Sequence, residues 1–317
     1  MNKSDFQQVP HGDHERTEPL LRPGNTNCGG CGMSVALQMF KRAIGETKIQ
    51  LVLPASCAAV AAGGFPFTAF AAPLLMSTFA SAAAMATGMA QVARLNGEGT
   101  RVVCWAGDGA TYDIGMASLS AAAERNEDIL YVCYDNEIYG NTGGQRSSAT
   151  PAGASTSNTP AGKTERKKDM LGIMAAHKIP YAATVSLANH EDALKKMKRA
   201  VDEVGFRFLL ILTPCPTGWK SEPAMTIELV RLAVSSGLFP VLEVEQGNRW
   251  TVTIEPDFSR TALERYISSQ RRFRKSGITP DHLAKEIDCQ WQELLVRMGS
   301  ASLAEGFESR ELPLLPE

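Results

Sequence analysis

The sequence predicts a doubly wound, mostly parallel α/β sheet, and three observations carry that prediction. Apolar runs at residues 102–105 and 129–134 each break into a polar loop, with a helix-like Ala/Ser/Leu segment between them, so the order is strand–helix–strand. Further apolar runs at 49–53 and 206–212 end in Pro54-Ala55-Ser56-Cys57 and Thr213-Pro214-Cys215-Pro216. Each again places a chemically distinctive residue just past a strand. Finally, Asp108 and Asn136 fall in loops outside the carboxyl ends of two predicted strands, where open α/β sheets bind ligands.

At 317 residues the chain suffices for one large α/β domain or two modest ones. Hydrophobic residues at 44% and charged residues at 21% describe an ordinary globular protein. A formal charge of -2 argues against nucleic acid as the main partner, because no dominant basic excess exists to neutralise phosphates. The first twenty residues are polar and lack an apolar h-region, so no secretory leader is expected and the location is expected to be cytoplasmic. Residues 74–93 are the longest apolar stretch, but Ser77, Thr78, Ser81, Thr87 and Gln91 interrupt them. A membrane span needs about 20 predominantly apolar residues. The stretch is therefore expected to be a buried helix packed against other protein.

In chain order, residues 1–22 read as a polar N-terminal arm, 23–255 as the α/β domain and 256–317 as a helical C-terminal extension. Residues 23–32 form a glycine-rich turn around Cys28 and Cys31. Glycine there permits the positive φ angles and close backbone approach that wrapping an inorganic core requires. A helix is predicted over 34–44, a short buried strand over 49–53, and a helix from Gly109 to about residue 125. Residues 147–164 are rich in Ser, Thr, Pro, Ala and Gly without periodicity. A loop that long inside a compact domain is either disordered or functional. Because it issues from the Asn136 loop, it is expected to be a flap over a ligand or a surface for a partner. The basic cluster at 163–168 reads as a solvated helix start. Helices follow at 170–177, 191–205 and 226–236, with a strand at 181–185. Residues 241–254 alternate around Gly247-Asn248 and predict a hairpin. From Arg260 the chain is helical and charged. Its basic run at 271–275 reads as a solvated helix face, or else as a dock for an acidic partner.

Seven cysteines in a chain without an export signal suggest metal or redox chemistry more than disulfides. Cys104, Cys133 and Cys289 lie in apolar or helical settings and are expected to be buried small hydrophobes. Cys28, Cys31, Cys57 and Cys215 each lie in a turn-like context. Structural zinc usually takes two close Cys pairs; here there is one pair and two distant singles. Cys215 is followed by Pro216, as in the bacterial ferredoxin cysteine run. This spacing favours an iron–sulfur cluster, with zinc and four unrelated thiols as the alternatives. At the other site, Gly107 and Gly109 let the backbone approach a phosphate, while Asp108 and Asn136 offer the hard oxygens that Mg2+ takes.

With both sets of residues in view, the sequence resembles the β subunit of 2-oxoacid:acceptor oxidoreductases, the pyruvate:ferredoxin oxidoreductase family, over roughly residues 20–275. The resemblance rests on Gly107-Asp108-Gly109 with Asn136 about 28 residues on, on Tyr112-Asp113-Ile114-Gly115, on Tyr139-Gly140-Asn141-Thr142, and on the four loop cysteines. It implies a sheet of the thiamine-diphosphate-binding type carrying thiamine diphosphate, Mg2+ and a [4Fe–4S] cluster. The implied cluster ligands are Cys28, Cys31, Cys57 and Cys215; the implied Mg2+ ligands are Asp108, the Asn136 side chain and the Ile138 carbonyl. Cofactor contacts are implied for Gly107, Asp108, Gly109, Ala110, Asn136, Ile138, Gly140, Asn141 and Thr142. Asn141 and Thr142 are the side chains expected nearest the diphosphate or the reacting carbon, and so the catalytic candidates. The implied reaction is oxidative decarboxylation of a 2-oxoacid with coenzyme A to acyl-CoA and CO2. Thiamine serves there as electron sink, and the cluster takes the electrons one at a time.

The resemblance also implies partners: an α subunit, γ and ferredoxin-like δ subunits, and ferredoxin or an NAD-reducing subunit as acceptor. The glutamate that activates thiamine comes from the α subunit in multi-subunit members, and no candidate stands out here, so this chain is expected to be inactive alone. One departure bears on substrate. Where many pyruvate-type members carry Lys, Glu and Asn, this chain has Ala71, Ala80 and Ser81, and Met33 replaces a polar residue of some members. If residues 65–82 line the pocket, it is roomier and more apolar. That suits an aromatic or branched 2-oxoacid, as in phenylglyoxylate dehydrogenase, with pyruvate as the alternative. Repacking against a different α subunit explains the same changes. The rival readings are a non-redox thiamine decarboxylase or carboligase, which leaves the cysteines unexplained, and a zinc-stabilised non-catalytic subunit.

Overall fold

The computed structural model describes residues 18–64, 66–274 and 277–299. Its strands are β1 (Ile49–Leu53), β2 (Leu74–Met76), β3 (Arg101–Gly107), β4 (Leu130–Asp135), β5 (Tyr181–Val185), β6 (Arg207–Leu212), β7 (Val241–Glu245) and β8 (Arg249–Ile254). They form one eight-stranded sheet in the order β2-β1-β3-β4-β6-β5-β7-β8. Neighbours from β2 to β5 are parallel, and β7 and β8 add an antiparallel hairpin at one edge. The central strands β4, β5 and β6 are buried along their whole length, which is why they read as unbroken apolar runs. Edge strand β8 is largely half-exposed and reads as an alternation.

The chain leaves β1 toward β2 at one edge and leaves β3 toward β4 in the opposite direction, so the strand order reverses between β1 and β3. A crevice outside the carboxyl ends of those two strands is the ligand position of such sheets. The loops that border it are the ones carrying Cys57 and Asp108.

The helices are α1 (Gly32–Ile44), α2 (Cys57–Ala62), α3 (Ala82–Leu95), α4 (Met116–Glu124), α5 (Met170–Ala176), α6 (His190–Asp202), α7 (Pro216–Trp219), α8 (Thr226–Ser235), α9 (Arg260–Ser268) and α10 (Pro280–Arg297). One hydrophobic cluster extends from Leu20 to Leu294. Helix α10 joins it through Leu283, Ile287, Trp291 and Leu294, spaced three or four apart on one face, with Trp291 donating to the Gly237 carbonyl at 2.8 Å. Of the N-terminal arm, residues 1–17 lie outside the described residues. Leu20 and Leu21 are buried, and Leu21 bridges to Phe70.

Several expectations change. Residues 74–93 are not one helix: Leu74–Met76 pair with β1 as an edge strand, and α3 begins only after Ser77-Thr78 turns the chain. The pairing begins where the Leu51 amide donates to the Pro73 carbonyl at 2.9 Å. No helix among the described residues is long and apolar enough to cross a membrane. Residues 147–164 form no flap over the crevice. Ser147, Ala149, Thr150, Ala152 and Ala154 are buried behind it. Lys163 is buried too, donating to the carbonyls of Thr150 at 2.7 Å, Arg166 at 3.2 Å and Ser148 at 3.3 Å. The basic cluster is therefore no solvated helix start; α5 begins at Met170, capped by Asp169. Arg272 of the 271–275 run is 2% exposed, so that stretch is no solvated face either, and Lys275 lies outside the described residues. Cys289 is exposed, because it falls on the face of α10 opposite the core residues.

Candidate active site

Strand β3 delivers Gly107 and then Asp108, which is 2% exposed. The helix expected next starts as a π-helical turn over Gly109–Ile114 before α4. Such turns recur at functional sites. A methyl group on Gly109 would lie 2.2 Å from Cε1 of Tyr139, so only glycine lets that ring close against the turn. The Tyr139 hydroxyl donates to Asp113 at 2.8 Å and holds the ring there. Strand β4 delivers Asp135 and Asn136; the Asn136 side-chain oxygen accepts from the Ile138 amide at 3.3 Å and curls the loop. Between them Glu137 has φ +60°, uncommon for a non-glycine residue. Gly107, Asp108, Gly109, Ala110, Asn136, Ile138, Gly140, Asn141 and Thr142 all line one pocket of about 980 Å³.

Behind the pocket lies a buried ionic network that sequence reasoning missed. Asp135 accepts from the Tyr112 hydroxyl at 2.9 Å and pairs with Lys167 at 2.6 Å. Glu137 pairs with Lys167 at 2.9 Å and with Arg272 at 2.7 Å. Burial pushes the Glu137 carboxyl up, but Lys167 and Arg272 outweigh it and hold the group below its ordinary range. Burial likewise acts against the Lys167 ammonium, and the two carboxylates override it. Asp108 has no such cation in contact among the described residues. Burial and then the charge of Asp135 push its carboxyl well up, and the hydroxyl of Ser147 donates to it.

Cys28, Cys31, Cys57 and Cys215 come together around a second cavity of about 60 Å³. The turn carrying Cys28 and Cys31 meets the loop carrying Cys215 at Gly32, whose amide donates to the Pro214 carbonyl at 3.1 Å. A methyl there would sit 2.8 Å from the Thr213 backbone, so the contact needs glycine. Helix α7 closes the Cys215 turn, with the Gly218 amide 3.3 Å from the Cys215 sulfur. Cys57 enters from the end of β1, at the start of α2. Burial, then Cys215 and Cys31, push its thiol up to about 12, and an Asn141 hydrogen bond works the other way. Burial raises Cys31 and Cys215 as well. Among the described residues no group of three or more Cys, His, Asp or Glu is gathered tightly enough to hold a single metal ion. Cys57, Asn136 and Asn141 line both cavities, so the two share a wall.

The substrate-bearing expectation needs correction. Pro66, Phe67, Thr68 and Phe79 line the large pocket, but Ala71, Ala80 and Ser81 do not, and Phe65 lies outside the described residues. Met33 lines the cysteine cavity instead. Ser81 faces Thr78, and the Ala80 carbonyl accepts from Ser118, so both serve the turn before α3. Asp108 is the one charged residue among the described residues lining the large pocket.

Residues 56–211 match the family described as thiamine pyrophosphate enzyme, C-terminal TPP binding domain. The chain is 41% identical over 282 residues to a pyruvate synthase subunit PorB of Methanothermobacter marburgensis, covering 87% of this chain and 94% of that one. It belongs to the β subunits of the 2-oxoacid:ferredoxin oxidoreductases. A ketoisovalerate oxidoreductase subunit VorB of Pyrococcus abyssi is 42% identical over 262 residues, 79% of this chain and 84% of that one. A solved 2-oxoglutarate:ferredoxin oxidoreductase from Magnetococcus marinus, with 2-oxoglutarate, coenzyme A and succinyl-CoA bound, superposes with TM-score 0.56 at 26% identity. That alignment covers 68% of this chain and 81% of the other. The chain is thus one subunit of a multi-subunit oxidoreductase. The match to the thiamine domain starts one residue before Cys57 and ends before Cys215, so three of the four loop cysteines lie outside it.

Proposed function

We propose that this β subunit holds thiamine diphosphate with Mg2+ in the large pocket and a [4Fe–4S] cluster among Cys28, Cys31, Cys57 and Cys215. Together they serve oxidative decarboxylation of a 2-oxoacid with an apolar side chain. The observation that carries the reading is the shared wall: Cys57 and Asn141 face both the thiamine pocket and the cysteine cavity. When bound, thiamine supplies the electron sink for decarboxylation and the cluster accepts the electrons singly.

The residues present fit both groups. Asp108 is a buried acid with no cation in contact among the described residues, and a divalent ion held by Asp108, Asn136 and the Ile138 carbonyl would supply that countercharge. Gly107 and Gly109 keep the backbone bare where a diphosphate must approach it. Asn141 reaches from the pocket wall toward Cys57 and is placed to orient whatever sits between them. Four thiols around one cavity, without a tight set for a single ion, favour a cluster over zinc. A thiamine decarboxylase without redox chemistry has no use for that cavity.

The rim of Val60, Phe67, Leu75 and Met76 is exposed and apolar, and no glutamate is among the described residues lining the pocket. Both observations support completion of the site by an α subunit. The described residues lining the pocket include no cation for a second carboxylate, which disfavours 2-oxoglutarate and favours pyruvate, branched or aryl 2-oxoacids. Coenzyme A as acyl acceptor follows by likeness to the 2-oxoglutarate enzyme. The chain then divides into a thiamine- and cluster-binding unit over 23–255 and a helical extension over 256–317.

The test is anaerobic purification with native partners, followed by iron, acid-labile sulfide, zinc and thiamine analysis and a 2-oxoacid panel. Iron with matching sulfide and thiamine, with CoA-dependent turnover of an apolar 2-oxoacid, is expected. One zinc per chain without iron removes the redox reading.

A further inference from the structure

Arg272 ties the loop after β4 to the turn that presents Cys215, from behind the wall that the two cavities share. It comes from the segment after α9, some sixty residues past the end of the matched thiamine domain. Its guanidinium pairs with Glu137 at 2.7 Å, and Glu137 sits between Asn136 and Ile138. The same guanidinium lies 3.9 Å from the centroid of the Trp219 ring. Trp219 in turn donates from its indole nitrogen to the Asn136 carbonyl at 2.8 Å, and its backbone amide donates to the Cys215 carbonyl at 2.8 Å. One planar cation therefore grips the loop proposed to hold Mg2+ and, through an aromatic face, the turn that presents Cys215.

The arrangement is over-determined. Gln270 accepts from Arg272 at 2.8 Å, the Tyr266 hydroxyl lies 3.2 Å from it, and the Ser155 amide donates to its carbonyl at 2.7 Å. Arg272 is thus held from three sides by elements that do not reach either cavity. Glu137, by contrast, is held in a left-handed backbone conformation that its side chain does not favour. The pull of Lys167 and Arg272 on its carboxylate turns Glu137 behind the pocket, and its neighbours Asn136 and Ile138 line the pocket wall.

We propose that Arg272 is a positioning residue that sets the Asn136–Glu137–Ile138 loop and the Cys215 turn in register. Cofactor affinity in the large pocket and the environment of the cysteine site then depend on one side chain that touches neither. The inference rests on the proposed thiamine and cluster sites. Its signature separates the two contacts: lysine keeps the charge for Glu137 but cannot stack on Trp219 as a planar guanidinium does.

The experiment uses the assembled complex and compares wild type, Arg272→Lys and Arg272→Met. The readouts are Mg2+-dependent thiamine diphosphate Kd by calorimetry, iron content, the EPR spectrum of the reduced complex, and thermal unfolding. Arg272→Met is expected to raise the Kd at least about tenfold and to alter the EPR line shape with iron retained. Arg272→Lys is expected to restore the Kd to within about threefold, while the EPR line shape stays altered. Wild-type affinity and spectrum in Arg272→Met overturn the proposal. So does an equal loss of affinity in both variants that only tracks their unfolding temperatures, which marks a merely structural residue. If the wild-type complex holds neither thiamine diphosphate nor iron, the functional reading fails first and the inference with it.

Discussion

Replacing Gly32 by alanine separates cluster binding from folding. The new methyl would lie 2.8 Å from both the Cα and the carbonyl carbon of Thr213 and 2.9 Å from the Pro214 nitrogen. These are backbone atoms and cannot swing away as a flexible side chain does. Restoring an ordinary contact of 3.4 Å requires the two loops to part by about 0.6 Å. That stretches the 3.1 Å bond from the Gly32 amide to the Pro214 carbonyl to about 3.7 Å, beyond hydrogen-bond range. The lost bond costs about 1 kcal/mol. Because Gly32 is the first residue of α1, alanine returns up to about 1 kcal/mol of helix propensity. Global stability is then nearly unchanged, with the unfolding temperature moving by less than about 4 °C. The cysteine cavity, however, loses the register between Cys31 and Cys215. Iron and acid-labile sulfide after anaerobic reconstitution should fall at least about tenfold. Gly29→Ala is the control, because a methyl at Gly29 meets nothing within 4 Å. Full iron in Gly32→Ala, or equal iron loss in Gly29→Ala, refutes the reasoning.

Three further outcomes follow from the geometry. Asp108→Ala should weaken Mg2+-dependent thiamine diphosphate retention by more than about 100-fold while iron stays bound, measured on one sample; parallel loss of both marks misfolding instead. Gly109→Ala places a methyl 2.2 Å from the Tyr139 ring and should displace it, costing about 1–3 kcal/mol and the thiamine site, read by unfolding and by calorimetry; unchanged binding contradicts this packing. Lys163 is pushed down to about 8, chiefly by burial and then by Arg146. Its pKa is lower folded than unfolded, so between those values the unfolded chain binds more protons and stability rises with pH. Relative to Lys163→Met, wild type should therefore gain about 2 kcal/mol between about pH 7.5 and pH 9.5, followed by thermal unfolding. A constant difference between the two proteins across that range contradicts the assignment.

The sequence was most informative where one local signal decided the structure. Residues 49–53 and 181–185 are strands with the expected bounds, because unbroken apolar runs of that length suit buried parallel strands. The hairpin around Gly247-Asn248 followed from alternation plus a turn signal. Cys57, Asp108, Asn136 and Cys215 lie close together because each sits just past a parallel strand, while Cys28 and Cys31 reach the same cavity on the turn before α1. What stayed hidden depends on distant partners. Lys167 and Arg272 read as solvated charges because lysine and arginine are almost never buried unpaired. Their partner Glu137 lies 30 and 135 residues away along the chain. Nothing local announces such pairs. Leu74–Met76 is a strand for a similarly non-local reason: three apolar residues carry no period, and only the open edge of β1 makes them a strand.

In the proposed function, electrons released in the large pocket cross the shared wall at Cys57 and Asn141 into a cluster held by the four cysteines. The most direct test is anaerobic rapid mixing of the assembled complex with its 2-oxoacid, without external acceptor, while following visible absorbance and CO2 release. Cluster absorbance should bleach in step with a single turnover of CO2. Release of CO2 with the absorbance unchanged would contradict it and leave a thiamine decarboxylase whose cysteines take no part.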